Sequence, residues 1–258
     1  MSKLLGYYFR RDKWLLLAIA AVPILASLLY LFFSEDVAAG MNIVSGYIAW
    51  IVCAFALYIR DYKRFYGTYS DFFSGLPLTG KEIIGARLIW FVLIDLYGML
   101  VFGLKIFTVA RRVLDPAIYT EMMTDFHRTV AQLHPRVIVI FIIASIVSLL
   151  FTSIIWLFVT SVGSEKKFRR FGIGGPIMLY VGVQIIYVVV AKIIERVAPT
   201  VYESHVMDGM NDMQYLIGNI NNAMFTMIAI ATILLAVGDV LMYVRSVRSH
   251  DHKLSTYS

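Results

Sequence analysis

Six stretches of about 20 mostly apolar residues, the length that crosses a bilayer as a helix, recur along this 258-residue chain. They cover residues 14–33, 42–59, 88–107, 137–160, 172–191 and 222–244. Inside a bilayer every backbone polar group needs an internal partner, so only helices or closed barrels can span it. Runs this long point to helices. The expectation is an all-α integral membrane protein, one transmembrane domain over residues 1–258, with no room between the spans for a soluble domain. Composition agrees, because 60% of the residues are hydrophobic and 16% charged, whereas the apolar share of soluble domains is near one half. The basic N-terminus followed by an apolar run has the outline of a signal peptide. Residues 14–33 are nevertheless too long for an h-region and no small-residue cleavage site closes them, so they are read as a span.

An even number of spans puts both termini on one side, and the basic residues say which. That side carries Lys3, Arg10, Arg11 and Lys13, five Lys or Arg over residues 60–87, four over 161–171 and three in the C-terminal tail, sixteen in all. The other side carries seven, five of them between Lys105 and Arg136. The positive-inside rule therefore predicts a multi-pass plasma-membrane protein with cytoplasmic termini. Topology also accounts for the net charge of +6, so no nucleic-acid partner is expected. The single cysteine, Cys53, excludes an intrachain disulfide.

Three segments outside the spans carry helical patterns. Residues 1–13 place Leu4, Leu5, Tyr8 and Phe9 within two turns and follow them with Arg10, Arg11 and Lys13. That predicts a short interfacial helix, apolar side in lipid and cations towards anionic membrane lipids. In the outer segment 108–136, Asp115-Pro116 forms an N-cap and first-turn pair, after which Ile118, Met122, Phe126, Val130 and Leu133 keep helical spacing until Pro135. In the outer segment 192–221, Val206, Met210, Met213, Ile217 and Ile220 share one face. Both are read as amphipathic helices capping the outer end of the bundle, their methionines filling gaps.

The loop 60–87 is the longest polar interruption of the N-terminal half. Gly75 to Lys81 satisfies the GxxxxGK spacing of a phosphate-binding loop, but the next residue is Glu82 where that motif needs a Ser or Thr hydroxyl for magnesium. No strand precedes it either. The same residues make a capping box, Thr79 accepting from the amide three residues on and Glu82 reaching back. A helix should start there and run into the third span, with Pro77 separating it from a short amphipathic piece around Tyr69 to Ser74.

The run Phe72-Phe73-Ser74-Gly75-Leu76-Pro77-Leu78-Thr79-Gly80-Lys81-Glu82-Ile83, placed after the second of six spans, resembles the F-x-SLP-x-(S/T)-(R/K)-x-E-I signature of type 2 ABC exporter permeases. The match covers about a dozen residues directly. The resemblance implies a cytosolic coupling helix, here Tyr69 to Phe73, that docks in a groove of a separately encoded ABC ATPase subunit. Tyr69, Asp71, Phe72, Phe73, Leu76, Pro77 and Glu82 are the coupling residues it marks. It also implies two ATPase copies holding ATP and magnesium, no cofactor in this chain, a second permease subunit in a homo- or heterodimer, and a bacterial cell membrane. Two sizeable outer segments, where that family has one near the last span, set this chain apart.

Ionisable residues within spans are functional candidates. Asp95 lies near the middle of the third span, with Lys105 ten residues on, roughly 15 Å along the axis. It is a candidate for the translocation path, or a buried carboxylate bonded to a neighbouring Tyr or Ser. Asp239 is read as an interfacial residue pairing with Arg245 or another basic group. His250 and His252 fall in what reads as a mobile tail, and no HExxH helix, nucleophile elbow or carboxylate dyad occurs, so neither a catalytic residue nor a metal site is expected. The function implied is a permease subunit coupling ATP hydrolysis by its partner to export of an amphipathic peptide or lipid-like substrate. The alternative is a non-transporting membrane sensor or immunity subunit that binds extracellular peptides.

Overall fold

The computed structural model describes residues 2–67, 78–165, 167–206 and 213–254. Among them seven α-helices follow one another: α1 (Ser2–Ala26), α2 (Glu35–Phe65), α3 (Gly80–Val113), α4 (Pro116–Gln132), α5 (Pro135–Val162), α6 (Gly174–Val206) and α7 (Met213–Leu254). A 3-10 turn, Ser27–Leu31, extends α1. Six of these helices, all but α4, are long and apolar enough to cross a membrane, each at one of the six stretches read from the sequence. The described chain is thus an all-helical, multi-pass membrane protein.

Helix starts follow local chemistry. Thr79 caps α3 through a full capping box: its Oγ1 accepts from the Glu82 amide at 3.3 Å while its own amide donates to Glu82 Oε2 at 2.9 Å. Asp115 Oδ1 accepts from the Ala117 amide at 2.8 Å and Pro116 opens α4. His134 Nδ1 accepts from the Arg136 amide, with Pro135 in the first turn of α5. In α2, Glu35 and Asp36 lie in the first turn and Lys63 and Arg64 in the last, each charge opposed to the helix dipole at its end.

The chain divides into two compact units, residues 1–127 with 250–258, and residues 128–249. In the first, α1, α2 and α3 pack against one another around Tyr8, Ile19, Leu57, Ile84, Trp90 and Ile94. Near the middle of α3 a Cβ on Gly98 would stand 1.9 Å from Trp50 Nε1. The indole of α2 lies directly on the α3 backbone there. Because a fused ring cannot give way as a flexible chain does, Gly98→Ala is expected to cost about 1–3 kcal/mol, measured as a lower thermal unfolding midpoint in detergent. An unchanged midpoint would mean that the indole is not wedged against α3. In the second unit α5 packs on α6, with Trp156 stacked on Tyr180 at 5.2 Å. Between these helices and α7 opens an apolar groove of 760 Å³, lined by Phe151, Leu179, Tyr187, Met227, Leu235 and Leu241 among others.

Several expectations change. Residues 1–13 are not a separate interfacial helix: α1 runs unbroken from Ser2 through the first span. No Gly or Pro stands between the two parts to end the helix. Its stripe meets protein: Leu4 and Tyr8 are buried, and the half-exposed Phe9 stands edge to face with Trp90 at 4.9 Å. In the second outer segment Val206 ends α6, Met213, Ile217 and Ile220 fall in the first turns of α7, and Met210 lies outside the described residues. Helix α4 forms as expected, but Ile118, Met122, Phe126 and Val130 lie open rather than filling gaps. The tail is ordered at His250, which is buried in the last turns of α7.

Candidate functional site

The end of the first unit from which residues 66–79 leave and return is built from charges that the sequence pattern assigns to solvent. Asp12 sits on α1, Asp61 and Arg64 on the last turns of α2, and Arg87 on the second turn of α3. Asp12, Asp61 and Arg87 are fully buried and Arg64 is 3% exposed. Buried charges persist only when paired and hydrogen-bonded. Here the count balances. Arg64 grips Asp12 with both terminal nitrogens, Nη2 to Oδ1 at 2.7 Å and Nη1 to Oδ2 at 2.9 Å. Arg87 forks onto Asp61 Oδ2 through Nε at 2.9 Å and Nη2 at 2.6 Å, leaving Oδ1 to accept from the Tyr8 hydroxyl at 2.7 Å.

Aromatic rings enclose both guanidiniums. Arg64 lies over Tyr8 at 5.0 Å and Tyr7 at 5.6 Å, and Arg87 over Phe65 at 4.7 Å and Tyr66 at 5.1 Å. At these separations the ring quadrupole attracts the cation, more strongly where water is excluded. Tyr8 is itself stacked on Trp90 at 5.2 Å. Arg87 Nη1 then donates to the Tyr66 hydroxyl at 2.9 Å. That bond joins the residue after α2 to the second turn of α3.

The last turn of α7 meets the same base. The His250 ring stands 6.2 Å from Phe65 and 6.4 Å from Tyr66, edge to face with each. A Cβ on Gly80 would stand 2.0 Å from Asp251 Oδ1, so glycine at the start of α3 leaves the space that the carboxylate fills. A carboxylate there also faces the positive end of the α3 dipole.

Of the coupling residues marked by the sequence, Glu82 is placed: it is exposed and closes the capping box. Tyr69, Asp71, Phe72, Phe73, Leu76 and Pro77 lie outside the described residues. Asp95 is buried on α3 and accepts from the Tyr58 hydroxyl of α2 at 2.7 Å. Tyr58 is the partner that α3 itself does not supply, and its ring meets Phe91 edge to face at 4.8 Å. Asp239 does not pair with Arg245, which instead holds Glu165 Oε1 at 2.5 Å. Positions six apart on a helix do not share a face, whereas those three or four apart do. Asp239 is buried and its Oδ1 makes no hydrogen bond.

Asp12, Asp61, Arg64, Arg87 and Tyr8 escape the sequence reading because flanking charges are expected in water or headgroups. A signal was present: Asp12 and Asp61 are acids set among basic flanks, and Asp61 lies three residues from Arg64 on one helix face.

No family model, curated protein or solved structure matches the chain. What the site does is therefore read from its own chemistry. Among the described residues, Asp12, Asp61, Arg64, Arg87 and Tyr8 pair with one another and link α1, α2 and α3 at this end. These bonds hold the three helix ends together.

Proposed function

We propose that the chain is the membrane-spanning permease subunit of an ABC exporter. It pairs with a second permease subunit and couples ATP hydrolysis by two separate ATPase subunits to export of an amphipathic peptide or lipid-like substrate. Both termini and the 66–79 loop then face the cytosol of a bacterial cell. One observation carries this reading: Tyr66, where that segment leaves α2, is hydrogen-bonded to Arg87 of α3, and Arg87 with Asp61 and Tyr8 ties the ends of α1, α2 and α3 together. A loop that receives motion from an ATPase must pass it on without slack, and paired charges buried among rings supply that stiffness. The apolar groove of the second unit supports an apolar substrate portion. Asp95 stands as the candidate path residue of α3, held by Tyr58.

The test is co-purification from native membranes through an affinity tag on this chain. A stoichiometric ATPase subunit should accompany it, and in proteoliposomes its ATP turnover should rise with an amphipathic cationic peptide. If the chain binds such a peptide but brings no ATPase, the sensor or immunity reading replaces transport.

A further inference from the structure

Beside the buried cluster, on the α1–α2 side of the first unit, a cavity of 320 Å³ is lined among the described residues by Arg11, Arg60, Lys63 and Arg64. Arg60, Lys63 and Arg64 fall at positions i, i+3 and i+4 of α2, so they share one face and repel one another. Arg11 joins them from α1. Asp12 is the carboxylate that answers them: it is gripped by Arg64 and approached by Arg60 at 3.4 Å. Lys63 is exposed and makes no ion pair among the described residues. The helix dipole accounts for cations in the last turn of α2. It does not account for Arg60 a turn earlier, nor for Arg11 arriving from another helix.

Two of the four cations are held in place before any ligand arrives. Arg64 is fixed by its two bonds to Asp12 and by the rings of Tyr7 and Tyr8. Arg11 Nη1 donates to the Tyr7 hydroxyl at 2.6 Å. Guanidiniums present several donors in a planar fork that matches phosphate oxygens, and an ammonium adds a mobile point charge. We propose that this cavity is a binding site for a phosphoryl anion, held by Arg60 and Lys63 against a fixed wall of Arg11 and Arg64. Basic cavities between spanning helices at a membrane face take lipid phosphates in this way, and a soluble phosphate offers the same oxygens.

The full-length chain in detergent, titrated with phosphatidylglycerol micelles, phosphatidylcholine micelles and inorganic phosphate, separates the sources. Binding is read by native mass spectrometry and by the thermal midpoint. Phosphatidylglycerol should be preferred over phosphatidylcholine, and Arg60→Gln with Lys63→Gln should weaken it about 30-fold, roughly fivefold for each cation. Lys13→Gln with Lys81→Gln, which removes two exposed cations outside the cavity, should change it less than about twofold. Saturable, variant-sensitive binding of inorganic phosphate would assign the site to a soluble anion, and phosphatidylglycerol alone would assign it to a headgroup. Lys63→Gln by itself, at an exposed side chain, serves if the double variant unfolds. Equal losses in the two double variants, or no preference for either anion by the wild-type chain, would overturn the site.

Discussion

Asp61→Asn is expected to destabilise the chain by about 3–5 kcal/mol, because it leaves the Arg87 guanidinium buried without a counter-charge. Asparagine is nearly isosteric and still accepts from Tyr8, so little of this loss comes from packing. The charge decides it: Arg87 is fully buried, and water cannot replace the carboxylate. Adding Arg87→Met to Asp61→Asn should recover at least half of the loss, since it removes the uncompensated buried guanidinium that causes most of it. The recovery isolates the interaction from the two single effects. Glu165→Gln is the contrast. Its pair with Arg245 has side chains 23% and 44% exposed, and solvent screening keeps such pairs at about 1 kcal/mol or less. Thermal unfolding of the purified variants in one detergent gives the ranking. If Asp61→Asn and Glu165→Gln cost the same, the cluster is solvated and does not brace the loop.

The span pattern was legible because a bilayer imposes it: about 20 apolar residues have one structural outcome, and all six stretches became helices. The starts of α3 and α4 were legible too. Thr79 with Glu82, and Asp115 with Pro116, satisfy orphan amides within four residues, so no tertiary information is needed. Tertiary partnership was not legible. Asp12, Arg64 and Arg87 carry the same formal charges whether they face water or one another, and only packing of α1 against α2 and α3 brings them together. His250 was hidden similarly, since a polar final stretch gives no sign that Phe65 and Tyr66 will meet it. Helix continuity misled in two places. The amphipathic pattern at residues 1–13 was a real helix but part of a longer one, and of the pattern read over Val206 to Ile220, Val206 ends α6 while Met213, Ile217 and Ile220 open the long α7.

The coupling proposal has its sharpest consequence at Phe72 and Phe73. They lie outside the described residues, between a residue after α2 that is hydrogen-bonded to Arg87 and a capped start of α3. Aromatic anchors seated in a partner's pocket are the residues that dominate interface energy, at about 2 kcal/mol or more each. Phe72→Ala with Phe73→Ala should therefore weaken ATPase binding by roughly 30-fold for every 2 kcal/mol lost and abolish cargo-stimulated ATP turnover. The spans should still fold, because the cluster of Asp12, Asp61, Arg64 and Arg87 makes its described contacts with residues other than these two. An unchanged thermal midpoint with lost ATPase binding is thus the expected pair of results. The competing account puts the two rings in lipid, where their burial helps hold the loop against the membrane. On that account the double variant keeps its ATPase subunit in full stoichiometry and changes only its behaviour towards vesicles. Retained stoichiometric binding with normal turnover would remove the coupling role from this loop, and with it the strongest reason to regard the charge cluster at its base as a transmission element.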